Sequence, residues 1–97
     1  MTDRTVSDYV SDLEQRENAV LKCITADGTR MDIGCIPLAE TRDDGSRNVY
    51  GQVWVVYSPL FPDKSETVTR DGVRNRVKRC MPDVELISYG ESLFAEE

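Results

Sequence analysis

The sequence predicts a small α+β domain with helices on one face of a mostly antiparallel sheet, in the order α-β-β-β-α-β. Three patterns indicate this fold. Apolar residues near the start recur with helical spacing, two alternating segments flank a turn motif, and a long apolar strand precedes a second helical pattern. A chain of 97 residues can bury one hydrophobic core, so we expect a single domain over residues 1–97.

The first element is predicted to be an amphipathic helix from Val6 to Glu17. Thr5 and Asp8 have the spacing of a capping box, and Asn18 is a plausible end signal. The residues expected on its buried side recur at intervals of three and four: Val6, Tyr9, Val10 and Leu13.

A β-hairpin is predicted next, with strands over residues 19–25 and 29–38 around the turn Ala26-Asp27-Gly28. The apolar residues that we expect to face inward are odd-numbered in both strands. A three-residue loop with Gly28 in the left-handed conformation keeps this parity.

This loop predicts the register of the hairpin, with Leu21 opposite Ile33 and Cys23 opposite Met31. Pro37 lacks a backbone N–H, so the second strand is expected to end there or shortly after.

The segment over residues 40–48 is polar and is predicted to be a loop. Residues 49–58 are the strongest strand signal in the chain, and both faces are apolar, which is typical of a central strand. Tyr50 and Trp54 share one of these faces. If helices left that face uncovered, both side chains would be exposed.

A short connection with two prolines is expected over residues 59–62, followed by a second helix over residues 66–80 that Pro82 ends. Val84, Leu86 and Ile87 indicate a last strand. After it, Leu93 and Phe94 are expected to dock as a final turn.

Few catalytic or metal-binding chemistries fit this composition. Histidine is absent, which removes the usual metal ligand and the usual general base at neutral pH. Cys23, Cys35 and Cys80 match no zinc spacing and are expected to be buried free thiols. Asp43-Asp44-Gly45-Ser46 lacks the ligand pattern of a calcium loop and indicates a plain turn. We therefore expect no enzyme activity, no cofactor and no metal. The alternative left open is an enzyme with a carboxylate-based site that is assembled only in the folded chain.

Charge is strongly segregated along the chain, which has a net charge of -6. Arg70, Arg74 and Lys78 recur every four residues on the second helix and form a row that could bind phosphates or carboxylates. The alternative is a solvated helix whose cations pair with the chain's own acids. The net negative charge weighs against nucleic acid, because backbone binding depends on neutralised phosphates.

The order of the first five elements resembles that of double-stranded-RNA-binding domains. Such domains use a Lys-rich helix start on RNA phosphates, whereas Asp63, Glu66 and Asp71 occupy that region here. The similarity is therefore limited to the order of elements.

The acidic side chains support a second hypothesis, in which the protein presents carboxylates to a basic partner that itself handles nucleic acid. In size and acidity the chain resembles small anti-defence proteins of phages and mobile elements, including CRISPR and restriction inhibitors. The nominated carboxylates are Asp8, Asp12, Asp43 and Asp44. Leu60 and Phe61, between two prolines, could supply a rigid apolar contact or close the core.

The functional prediction from sequence is a small acidic, non-enzymatic protein-binding domain of the anti-CRISPR or anti-restriction type. Its expected partner is a host or regulatory protein, such as a nucleic-acid-handling complex. The alternative is nucleic-acid binding through the row of Arg70, Arg74 and Lys78. No apolar run fits a signal or a membrane span, which indicates a cytoplasmic protein, and a dimer is also compatible with the pattern.

Overall fold

A computed structural model of the chain describes residues 4–16, 18–61 and 65–95. It is an α+β fold in which two helices pack on a five-stranded antiparallel sheet of order β4-β3-β2-β1-β5. The elements are α1 (Val6–Gln15), β1 (Ala19–Ile24), β2 (Arg30–Thr41), β3 (Arg47–Tyr57), β4 (Ser65–Val68), α2 (Arg70–Cys80) and β5 (Val84–Ser88), followed by 3₁₀ turns at Tyr89–Glu91 and Leu93–Ala95. The predicted fold class and element order are confirmed, with β4 as an additional short strand.

Helix α1 begins at the predicted capping box. The Asp8 N–H donates to Thr5 Oγ1 at 3.1 Å, and the Thr5 N–H donates to Asp8 Oδ2 at 2.8 Å. The helix ends at Gln15, and Asn18 then adopts φ 58° in the turn before β1. Glu17, the predicted last residue of this helix, lies outside the described residues.

The predicted register of the β1–β2 hairpin is confirmed. Leu21 lies opposite Ile33, Cys23 lies opposite Met31, and Gly28 has φ 88°. The inward parity of the apolar residues and the left-handed glycine together determine this pairing.

The sequence predicted that the second strand ends at Pro37 or shortly after, within residues 29–38, but β2 continues to Thr41. The Thr25 N–H donates to the Thr29 carbonyl at 2.9 Å. In an antiparallel ladder this bond directs the backbone groups of odd-numbered β2 residues toward β1 and those of even-numbered residues toward β3. Pro37 is odd-numbered and lies beyond the paired residues of β1, so its missing N–H costs no bond to β3.

The polar segment over residues 40–48 is not a loop, because both strands extend into it. Only residues 42–46 lie between the two strands, and in this turn the Arg42 N–H donates to the Ser46 carbonyl at 2.8 Å and Gly45 has φ 86°. The paired stretch from Ile36 to Gln52 extends past the paired residues of β1 and β4. We call residues 36–52 the arm.

The second helix begins four residues later than predicted. Ser65–Val68 pair with residues 54–57 of β3 as strand β4, and Thr69 caps α2 by accepting the Gly72 N–H at 3.1 Å. Thr67 and Val68 are β-branched, and their pairing with β3 explains why the helix starts only after them. Helix α2 ends at Cys80, as predicted.

The core lies between the two helices and one face of the sheet. Its buried apolar residues are Val10, Leu13, Leu21, Cys23, Ile33, Trp54, Val56, Val73, Val77, Cys80 and Val84. The C-terminal turns pack on the opposite face, where the Phe94 and Tyr57 rings lie 5.4 Å apart. Phe94 also lies over Gly34, since a Cβ at Gly34 would be 3.7 Å from Phe94 Cε2. The expected docking of Leu93 and Phe94 is thus confirmed.

Candidate partner-binding surfaces

A polar network joins both helices to the base of the arm. Glu14 Oε1 accepts from Arg70 Nη2 at 2.8 Å, and Glu14 Oε2 accepts from Gln52 Nε2 at 3.0 Å. Cys35 Sγ in turn donates to Gln52 Oε1 at 3.4 Å. Arg70, the first residue of the predicted basic row, is therefore engaged in an internal ion pair.

The remaining basic surface of α2 consists of Arg74, Lys78 and Arg79. All three are exposed and form no ion pair with any side chain in the described part of the chain. Arg76 differs, because it pairs with Glu66 at 3.2 Å and donates to a carbonyl of its own helix. We call Arg74, Lys78 and Arg79 the basic helix surface.

The two nominated acids of α1 make local interactions. Asp8 caps its own helix, and the hydrogen bonds from the Thr5 backbone and side chain lower the pKa of Asp8. Asp12 pairs with Arg4, whose guanidinium also lies over the Tyr9 ring. These contacts belong to the structure of α1 itself.

Asp43 and Asp44 lie in the turn at the tip of the arm, on a different element from Asp8 and Asp12. Both are exposed. Asp44 accepts the Ser46 N–H at 2.9 Å, and hydrogen bonding from Ser46 lowers the pKa of Asp44. The Asp43 carboxylate has no hydrogen-bonding or ion-pair partner within residues 4–16, 18–61 and 65–95. We call this turn the acidic tip.

Leu60 and Phe61 are in different environments. Leu60 is 73% exposed, whereas Phe61 is partly buried and packs against the core. Phe61 lies beside Met31 next to the β1–β2 turn. The structure therefore leaves one apolar side chain of this pair available for contact.

Of the five large apolar side chains that are most exposed among the described residues, three lie on the arm, in segments that the sequence predicted as strands. Ile36, Val49 and Tyr50 are 51%, 56% and 65% exposed. Trp54, by contrast, is 4% exposed, so Tyr50 and Trp54 do not share an open face. The signal for the arm was the repeat of the Asp-Gly turn pattern at residues 44–45, which matches residues 27–28.

A groove of about 500 Å³ lies at the base of the arm. It is formed by the end of α1, the start of β1, the middle of β2 and β3, and the C-terminal turns. Its apolar lining includes Val20, Val55 and Phe94, and Glu14 and Arg47 contribute charge. The groove is open and continuous with Ile36 and Val49, which lie on the arm.

The three cysteines occupy two kinds of environment. Cys23 and Cys80 are buried, and Cys35 is half-buried beside the groove, which corrects the expectation that all three are fully buried. Burial raises the pKa of all three thiols, and the negative charge of Glu14 adds to the effect at Cys35. No three His, Cys, Asp or Glu side chains of the described residues come together as a possible metal site.

Neither of the two helices in the described part of the chain is long and apolar enough to cross a membrane. Comparisons of this chain with protein-family models, with curated proteins and with solved structures found no match.

Proposed function

We propose that this chain is a small acidic, non-enzymatic protein-binding domain that contacts its partner through the arm. The observation that carries the proposal is the arrangement of the arm, in which Ile36, Val49 and Tyr50 are more than half exposed behind the acidic tip. Exposed apolar side chains grouped on one element mark interaction surfaces more often than isolated ones do.

The two parts of the arm have different physical roles in this proposal. Aromatic and aliphatic side chains supply most of the binding free energy when a partner desolvates them. The carboxylates of Asp43 and Asp44 favour approach to a basic surface and oppose approach to an acidic one. Because the net charge is -6, the long-range field acts in the same direction.

The partner that fits this chemistry is a protein with a basic surface, such as a complex that handles nucleic acid. By occupying that surface, an acidic domain would exclude the nucleic acid itself. This is the mode of action of an inhibitor of the anti-CRISPR or anti-restriction type, acting in the cytoplasm.

The experiment is a tagged pull-down from lysate of the source organism, with and without nuclease, followed by mass spectrometry. We expect a specific protein that survives nuclease treatment and is lost with the double variant Asp43→Asn/Asp44→Asn. The side-chain amide oxygen that Asp44→Asn introduces can still accept the Ser46 N–H, so the turn is kept. The matched control is Asp83→Asn/Glu85→Gln, which removes the same charge from exposed residues elsewhere.

If Asp43→Asn/Asp44→Asn and the control Asp83→Asn/Glu85→Gln captured the same amount of partner, the role of the acidic tip would be contradicted. The role of the apolar side chains is tested with Tyr50→Ala. For this variant we expect binding to weaken by about tenfold or more, whereas Leu60→Ala is the control outside the arm.

The alternative function is nucleic-acid binding by the basic helix surface, since Arg74, Lys78 and Arg79 are exposed and lack ion pairs with the described residues. Arg70 contributes less to this candidate than predicted, because Glu14 neutralises it. A titration with duplex and single-stranded oligonucleotides over a salt series tests it. Steep salt dependence that is lost in Arg74→Glu/Lys78→Glu would favour this function, and a flat titration at low salt would exclude it.

A further inference from the structure

Strand β3 is covered on its outer side along only part of its length. It has 11 residues, and β4 pairs with residues 54–57 alone. Among the described residues, none pairs with residues 47–53 on that side. The backbone groups of this stretch therefore form an open sheet edge, which is a template for another strand.

The alternation of the ladder identifies which backbone groups are open. Even-numbered β2 residues bond toward β3, and Leu38 and Ile36 are paired with Gly51 and Val53. The backbone N–H and carbonyl of Gln52, which lies between those two residues, consequently face outward. Beyond the bulge at Leu38/Ala39 the alternation restarts from the Arg42–Ser46 hydrogen bond, in which the even-numbered Ser46 bonds toward β2. The backbone groups of the odd-numbered Val49 therefore face outward.

From residue 48 to residue 53 this edge carries neither a charge nor a proline, and its one irregularity is the bulge on β3 opposite Ala39. The sequence from residue 48 to residue 62 contains no Asp, Glu, Lys or Arg, and no other stretch without charge in the chain is as long. The outer edge of β2 is different, because Pro37 removes a donor there and Glu40 adds a charge. Charges and prolines are common means of protecting an edge, so over residues 48–53 the β3 edge is the less protected of these two edges of the arm.

The charge distribution indicates a second copy of this chain as the occupant. Two molecules with a net charge of -6 repel each other, and the repulsion is least where the contact itself carries no charge. Two identical strands can always pair in antiparallel orientation about a twofold axis, with each residue pair occurring twice. Val49 and Tyr50, which are more than half exposed, would be covered by the same contact.

We propose that two copies of this chain associate through antiparallel pairing of β3 residues 48–53, which joins the two arms into one four-stranded ribbon. The acidic tip of each copy lies outside the paired stretch. The dimer would present two acidic tips at opposite ends of the ribbon, and it would compete with the proposed partner for Val49 and Tyr50.

The test is sedimentation velocity on the full chain from about 1 µM to about 1 mM. We expect a concentration-dependent dimer that Val49→Lys weakens by at least about tenfold, because a lysine on an open edge opposes strand pairing. The control, Leu60→Lys, makes the same change in charge at an exposed residue outside the arm and should change the association by less than about twofold. A monomer throughout this range would overturn the proposal.

Amide hydrogen exchange distinguishes edge pairing from other dimers. The Gln52 N–H should become protected as the concentration rises, and it should exchange rapidly in Val49→Lys. A dimer in which Gln52 stays unprotected, or which persists in Val49→Lys, would contradict pairing at this edge. The double variant Asp43→Asn/Asp44→Asn should still dimerise. Loss of partner capture without loss of the dimer therefore separates the acidic-tip proposal from the proposal of β3 pairing.

Discussion

Arg30 holds the fully buried carboxylate of Asp32 in a two-pronged ion pair, with distances of 2.9 Å from Nε to Oδ1 and 3.1 Å from Nη2 to Oδ2. The Leu93 N–H also donates to Asp32 at 2.6 Å, and Arg30 Nη2 donates to the Glu91 carbonyl at 2.8 Å. This pair therefore fastens the C-terminal turns to the middle of the sheet, which keeps Phe94 over the face opposite the helices.

Replacing Arg30 by Ala should destabilise the fold strongly. The change leaves a buried carboxylate without its cation, which typically costs about 3–5 kcal/mol in the free energy of unfolding. The measurement is urea denaturation at neutral pH. Arg42→Ala removes an exposed arginine at the arm and should shift stability by less than about 0.5 kcal/mol, so equal effects of the two substitutions would contradict the prediction.

Thiol labelling of the native protein should be selective for Cys35. Burial raises the pKa of Cys23 and Cys80 and hides their sulfur atoms, whereas Cys35 is only half-buried. We expect iodoacetamide to modify one thiol in the folded protein and all three in denaturant, as measured by mass spectrometry. In Cys35→Ser the native protein should remain unmodified. Labelling of Cys23 before unfolding would show that the core opens more readily than its packing indicates.

The labelling rate of Cys35 should also rise with pH above the range of an ordinary thiol. Its pKa is raised by burial first and by the negative charge of Glu14 second. Glu14→Gln removes the second cause, so it should lower this pKa and increase the rate at a fixed alkaline pH. An unchanged profile in Glu14→Gln would show that Glu14 does not act on Cys35.

Acid should weaken the fold through three capping and turn aspartates. Hydrogen bonds lower the pKa of Asp8, Asp27 and Asp44 below the ordinary value of 3.8. A lowered pKa in the folded state gives stability that is fully present above pH 3.8 and is lost as the pH falls through the folded values. The triple Asp→Asn variant should therefore show a smaller loss of stability below pH 3.8 than the native chain. Equal losses in denaturation curves would assign the acid effect to other carboxyl groups.

The turn at the tip of the arm should depend on Gly45. At φ 86° a side chain is strained, although a Cβ there would meet no atom within 4 Å. Gly45→Ala should thus destabilise by about 1 kcal/mol for purely conformational reasons. Gly90→Ala is the control, because Gly90 has no positive φ and a Cβ would make only an ordinary contact at 3.9 Å. Thermal or urea denaturation that ranks the two variants in the opposite order would refute this account.

Sequence patterns predicted an element correctly where its capping or turn residues agreed with the spacing of its apolar residues. The capping box of Thr5 and Asp8 began α1, and the left-handed Gly28 placed Leu21 opposite Ile33. Sequence patterns did not predict that β2 continues beyond Pro37 to Thr41 or that residues 65–68 form a strand. In both places a strand depends on which neighbour lies beside it, and proline or β-branched residues alone do not identify that neighbour.

The candidate site was less predictable than the fold. The sequence showed that Arg70, Arg74 and Lys78 share a helix face, yet the ion pair between Arg70 and Glu14 joins residues far apart in the chain. Asp8 and Asp12 were as acidic as Asp43 and Asp44 in the sequence. Only their surroundings distinguish the helix-capping and paired carboxylates from those at the acidic tip.

The sequence by itself determined the α+β class, the buried side of α1 and the β1–β2 register, because these follow from periodicity, capping and turn chemistry within short segments. The tertiary structure decided how far β2 and β3 extend as an arm, which charges are paired internally, and which part of β3 has no neighbour among the described residues. These features depend on contacts between distant segments, and such contacts become defined only when the sheet and helices pack together.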